Sequence, residues 1–180
     1  MKVIDHVRLM GRYNRWMNER LYAAAARLEP EQLAADRGAF FGSILGTLNH
    51  LMVGDLVWLK RFATHPAKHT ALDPLKAVSM PVSVDQFLWD DMGRLREERE
   101  RLDAMIEAWT AELSNEDLDH MLDYRNTKGV RSIKRFGSLV LHMFNHQTHH
   151  RGQATTLLSQ LGLDMGATDL LLLVPDDIES

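Results

Sequence analysis

Four of the chain's nine histidines crowd into one short stretch, His142, His146, His149 and His150. Near neutral pH an imidazole offers a nitrogen lone pair, so such a cluster suits a divalent metal ion or a proton relay. His146 and His150 are spaced i, i+4. On a helix each residue advances about 100° around the axis, which puts these two rings on one face, one turn apart. Leu139, Met143, Leu157 and Leu161 occupy the same sector, so the pair is expected to face the core, with His142 and His149 to one side and His149 further out. A single inward histidine is ordinarily a hydrogen-bonded core side chain. Two of them a turn apart leave four ring nitrogens to satisfy among apolar neighbours, and one shared ion takes a nitrogen from each. Gln147 stands where an HExxH motif carries its glutamate, so the general base of that motif is missing.

A third ligand must come from another segment. His50 is the best placed, because Gly46 and Gly54 lie one turn away on either side and leave space beside its ring; a plain helix-packing glycine pair is the alternative. His6, His65, His69 and His120 sit near segment ends or in loops, where a solvated histidine is expected. Around the ligands, Gln153 is close to His146 in angle and suits orienting a ring or a bound water. His142 and His149 flank the pair as relay candidates or as exposed side chains. Asn14 interrupts an apolar stripe and needs a partner, at the site or on the backbone. Arg151 points away from the ligand sector, toward a structural or interface role.

These residues must be held by helices. Val3, Val7, Met10, Met17, Leu21, Ala24 and Leu28 repeat at three and four residues and predict a first helix, left at Pro30. Ser43 is a good N-cap for a second helix carrying Ile44, Leu48, Leu51, Trp58, Leu59 and Phe62, closed by His65-Pro66. Residues 66–81 read as a loop. Ser83 and Gln86 form a capping box for a third helix with Val84, Leu88, Leu95, Leu102, Ile106, Trp109 and Leu113 on its stripe. The charged run from Glu97 to Arg101 reads as its solvated face. Helical spacing breaks between Asn115 and Arg131, where Asn126-Thr127-Lys128-Gly129 is a turn signal with short extended arms. A fourth helix is expected from about Ile133 to Leu161, stopped by Gly162. Val140, Phe144 and Leu158 mark a second apolar stripe on it, for a dimer partner or for the Leu170 to Val174 tail. Arg125, Lys128, Arg131, Lys134 and Arg135 are a basic group at its entry, more in keeping with a solvated turn than with an anion site. Four long amphipathic segments predict an all-α fold, a four-helix bundle with a short irregular or hairpin segment before the last helix, built as one domain over residues 1–180.

The composition narrows the function. A net charge of -4 disfavours nucleic-acid binding, which needs a basic face. The chain has no cysteine, so disulfides, thiolate ligands and a protein-borne thiol nucleophile are all excluded. Asp5, His6 and Arg8 break up any apolar signal core behind Met1 and Lys2, and no apolar run approaches a membrane span. A cytoplasmic protein without membrane contact is therefore expected.

Three stretches carry a family resemblance: Tyr13-Asn14-Arg15-Trp16-Met17-Asn18, then Ser43 to Leu51 (SILGTLNHL), and most specifically His142 to Gly152 (HMFNHQTHHRG) followed by Gln153. With the Tyr124 to Gly129 turn they span nearly the whole chain, which resembles the DinB/YfiT-like metalloenzyme family, a family separate from the DNA polymerase sharing the DinB name. The resemblance implies three histidine ligands at His50, His146 and His150. It also implies up-up-down-down connectivity, a homodimer, a zinc or nickel ion, and for characterised relatives a small-thiol cosubstrate. Three neutral imidazoles leave a divalent ion an open coordination position, which favours catalysis over a closed structural site. The expected function is thus a divalent-metal-dependent enzyme acting on a small molecule, a hydrolase or a small-thiol-dependent transferase or isomerase; the thiol would have to arrive with a cosubstrate. The alternative is a non-catalytic metal-binding stress-response module.

Overall fold

The computed structural model describes residues 2–176; Met1 and residues 177–180 lie outside the described residues. The chain runs α1 (Val3–Ala25), α2 (Pro30–Ala34), α3 (Ile44–Phe62), α4 (Met92–Glu112), α5 (Asn115–Asp119), β1 (Met121–Arg125), β2 (Arg131–Arg135) and α6 (Phe136–Ser159), with short 3-10 turns at Thr70–Ala77 and Leu170–Leu173. It is mostly helical, with one antiparallel hairpin pairing Met121 with Arg135 through Arg125 with Arg131. No described helix is long and apolar enough to cross a membrane.

The four long helices carry the core. α1 packs on α4 and α6, and α3 packs on α6 and more lightly on α4. Leu21, Leu48, Leu51, Leu59, Phe62, Ile106, Trp109, Phe136 and Val140 are buried between them, and Phe62 stacks on Trp109 with ring centroids 5.3 Å apart. α3 begins where its cap requires: Ser43 Oγ accepts the Gly46 N–H at 2.9 Å. Gly46 serves the incoming loop and not the His50 ring. A Cβ there would lie 2.2 Å from the Phe41 carbonyl oxygen, so only glycine lets that loop settle on the first turn of α3.

Several local expectations give way to tertiary contacts. The third long helix starts at Met92, capped by Asp91, whose Oδ1 accepts the Arg94 N–H at 2.7 Å. It does not start at Ser83. The intervening backbone is captured by buried Asn49 of α3: Asn49 Oδ1 accepts the N–H groups of Leu88 and Trp89, and its Nδ2 donates to the Trp89 carbonyl. A helix over those residues would have to release those bonds. β2 likewise takes residues up to Arg135 and delays α6 to Phe136.

α6 is buried on two flanks, because it packs on both α1 and α3. Val140, Phe144 and Leu158 are therefore buried within this one chain, and their stripe needs neither a dimer partner nor the tail as its cover. The 3-10 turn near the end lies against α1, where Tyr13 Oη donates to the Thr168 carbonyl at 2.7 Å and Arg20 Nη1 to that of Met165 at 3.1 Å. The basic residues of the hairpin are solvated, as a charged turn should be. Arg131 pairs with Asp123, Arg135 with Asp119, and Arg125 donates to the Gly129 carbonyl.

Candidate metal centre

α3 contributes His50 and α6 contributes His146 and His150, and the close packing of these two helices brings the three rings together. His50 is buried, and His146 and His150 are half-buried. Their Nε2 atoms converge: His50 lies 3.0 Å from His146 and 3.2 Å from His150. Three nitrogens bound to one tetrahedral ion at about 2.0–2.1 Å stand roughly 3.3 Å apart, close to what is seen. Gly54 is what lets α6 approach, since a Cβ there would sit 2.7 Å from His146 Cε1.

Proton placement on these rings decides whether they suit a cation. A neutral imidazole has one N–H and one lone pair. His50 Nδ1 lies 2.7 Å from the Val84 carbonyl oxygen, which only accepts, so His50 carries its proton on Nδ1. His150 Nδ1 lies 2.8 Å from Gln153 Oε1 and donates to it; the Gln153 amide in turn donates to His149 Nε2 at 3.3 Å. Both His50 and His150 therefore present Nε2 lone pairs, and these face each other at 3.2 Å. They cannot hydrogen-bond to one another, and a cation between them resolves the contact. Burial lowers the pKa of all three rings. For His146, with His150 and His50 adding to the effect, it falls to about 3. The three imidazoles are thus neutral near pH 7 and ready as ligands. Among the described residues, the ligand atoms within reach of one another here are these three, with no carboxylate.

Aromatic walls hold the rings in place. Phe41, ahead of α3, stacks on His50 with centroids 3.7 Å apart and meets His150 edge-on at 5.4 Å. On the other side a cavity of about 250 Å³ opens onto His50 and His146, bounded by Gly54, Trp58, Arg61, Val84, Tyr124 and His142. A larger hollow of about 700 Å³ shares Val57, Arg61, Val84, Tyr124, Asn126 and Thr127 with it, so access runs under the hairpin. Arg61 lies over the Trp58 and Tyr124 rings at 4.7 and 5.2 Å.

The flanking residues sort unevenly. Gln153 touches a ring of the trio and sets its tautomer. His142 lines the cavity, edge-on to Trp58 at 5.1 Å, and burial lowers its pKa, with Arg61 adding to that. His149 is exposed beside His150. Asn14 belongs elsewhere: its Nδ2 donates to Asp103 Oδ1 at 3.1 Å and its Oδ1 accepts from Arg151. Arg151 is itself buried, pointing away from the trio but into the core. Arg99, expected on a solvated face, is 1% exposed and bridges Asp55 at 2.8 Å and Asp103 at 2.8 Å. Gln147, adjacent to His146, donates to Asp55 Oδ1 at 2.6 Å and to the Leu51 carbonyl at 2.9 Å. Asn49, Phe41 and the Val84 carbonyl were not singled out from the sequence as site residues. Only Asn49, a polar residue beside His50, carried a local hint. The other two act through contacts 9 and 34 positions from His50.

Comparison with known proteins agrees with what the sequence resembles. The B. subtilis (strain 168) protein named "Protein DinB" is 25% identical over 159 residues, covering 87% of each chain. No solved structure matches the chain. The profile of the DinB family matches residues 3–176, nearly the whole length and all three clustered imidazoles included, and the chain belongs to that family.

Proposed function

We propose that this protein is a divalent-metal-dependent enzyme whose ion is held by His50, His146 and His150, and that it acts on a small molecule as a hydrolase or as a small-thiol-dependent transferase. The observation that carries this reading is the facing pair of Nε2 lone pairs on His50 and His150, 3.2 Å apart beside an open cavity. A borderline ion such as zinc or nickel suits three imidazole nitrogens. Bound with one position open, such an ion supplies Lewis acidity and lowers the pKa of a water or thiol that reaches it.

The chain's own residues do the rest. Val84 and Gln153 hold two ligand rings in the tautomer that presents Nε2, and Phe41 fixes the His50 ring plane. Trp58 and Tyr124 make apolar walls for a substrate entering under the hairpin. His142, neutral near pH 7 and lining the same cavity, is placed to take or return a proton at the substrate. The absence of cysteine means that a thiol, if used, comes with a cosubstrate. The expected architecture of this reading is an up-up-down-down bundle of α1, α3, α4 and α6, assembled as a homodimer.

The test is a turnover screen on zinc- and nickel-loaded protein, with and without small thiols, comparing wild type with His146→Ala. Activity that appears in wild type and vanishes in the variant supports the reading. Full occupancy of this centre in His146→Ala would refute the ligand assignment. Stoichiometric metal without turnover would favour a binding module.

A further inference from the structure

A second group of ligand-type side chains lies near the far end of α3, about 20 Å along the helix from His50 at 1.5 Å per residue. His65 follows α3, His69 precedes the 3-10 turn, and Asp117 lies on α5. One ligand atom from each falls within 4.8 Å of the others. Both histidines are more than nine-tenths buried, 4% and 8% exposed. Yet His65 Nε2 and both ring nitrogens of His69 make no well-formed hydrogen bond, although the Asp117 backbone lies close to His65 and the Asp117 carboxylate close to His69. His69 Nε2 stands 3.5 Å from Asp117 Oδ2, long for a hydrogen bond but near the spacing of two ligands on one ion. Buried polar atoms are ordinarily satisfied, and three orphaned nitrogens at one spot, beside a carboxylate, mark a place where something binds.

We propose that His65, His69 and Asp117 form a second divalent-metal site, one that staples the end of α3 to α5. Two imidazoles and a carboxylate select a borderline first-row ion such as zinc or cobalt over calcium or magnesium, which prefer all-oxygen shells. The carboxylate is prepared as an anion: Asp117 Oδ2 already accepts the Ser114 N–H and Oγ–H at 2.8 Å each. His65 is kept neutral by burial, with His120 and His69 adding to that effect. Loading costs one weak contact. The Ala67 N–H points at His65 Nδ1 at 3.2 Å, so the His65 proton must move to Nδ1 when Nε2 takes the ion. Ala67 is exposed, and water can take over its N–H. The ion would tie the connection that follows α3 to α5, away from the three-histidine centre, with its remaining coordination position open to water.

Cobalt(II) titration of the full, metal-stripped chain tests this, reading bound cobalt per chain after gel filtration. The expected stoichiometry is two in wild type, one in His146→Ala, one in His69→Ala, and none when both changes are combined. Asp117→Asn, which keeps an acceptor for Ser114, should also bind one and covers the case in which His69→Ala does not fold. One equivalent in wild type that His146→Ala abolishes would overturn the proposal, as would two equivalents retained in both His69→Ala and Asp117→Asn. One equivalent that survives His146→Ala and is lost in Asp117→Asn would support this site while sinking the three-histidine one. The two readings thus fail separately.

Discussion

The His150–Gln153 contact shows how a neighbouring side chain sets which nitrogen a candidate ligand ring presents. Gln153 Oε1 accepts from His150 Nδ1 and so leaves Nε2 as the lone pair. Gln153→Ala should weaken metal binding by about 10–100-fold, the usual cost of losing such a partner, read by competition with a calibrated chelator. The protonation of the rings also predicts a pH effect in metal-stripped protein. His50, His146 and His150 all have folded pKa values below the ordinary 6.5, chiefly through burial, and that of His146 is near 3. Between those limits the unfolded chain binds more protons than the folded one. Stability contributed by these neutral rings is therefore complete above about pH 6.5 and is lost as pH falls toward 3. Urea midpoints of stripped protein should fall over that window, and His146→Ala should flatten the dependence. An unchanged slope in the variant would remove His146 as its source.

At the level of elements, the segment between the two central helices matters more than its lack of regular structure suggests. Asn49 of α3 binds its backbone at Leu88 and Trp89, and the same stretch delivers the Val84 carbonyl to His50. Asn49→Ala would leave the N–H groups of Leu88 and Trp89 and the Trp89 carbonyl without their partner. The expected cost is about 2–4 kcal/mol in denaturant unfolding, together with weaker metal binding at His50. A variant that lost stability but kept full metal affinity would show that Val84 is held by other contacts. Gly54 makes the complementary point: the approach of α3 and α6 depends on the missing Cβ opposite His146, a spacing requirement that belongs to the pair of helices and to neither alone.

Across the whole molecule, a buried polar network ties the four long helices together at the height of the centre. Asn14 and Asn18 of α1, Asp55 of α3, Arg99 and Asp103 of α4, and Gln147 and Arg151 of α6 are all buried. The two carboxylates balance the two guanidinium groups. Although burial works against its charge, Asp103 and Asp55 hold Arg99 above its ordinary pKa. Such networks contribute little net stability when intact, but removing one partner strands the others. Asp55→Ala leaves Arg99 Nη1 and Gln147 Nε2 without their carboxylate and should cost about 3–5 kcal/mol. Because Gln147 adjoins His146, metal affinity should fall as well. A loss under 1 kcal/mol, on the order of a surface pair, would mean that solvent reaches the network.

Part of the candidate centre was legible in the chain before folding. The i, i+4 spacing of His146 and His150 is a helix property, and it put their rings on one face wherever that helix packed. The absence of cysteine and the mild acidity are compositional, and no fold alters them. The Ser43 cap and the Asn126 to Gly129 turn are local, and the structure keeps both. Other features depended on residues far apart in sequence. Arg99 sits in a run of surface charges with Asp103 one turn on, and only the arrival of Asp55 from α3 completes the pairing that makes its burial tolerable. His65 and His69 looked like solvated loop histidines, yet the fold buries both, His69 beside Asp117 of α5 and His65 against Phe136 of α6. Asn14 looked like a gap in a stripe until Asp103 and Arg151 met it. The three-histidine cluster itself divides the same way: two rings share a helix face by periodicity, while the third, its tautomer and the cavity beside it exist only because α3, the 84–89 segment and the hairpin converge there.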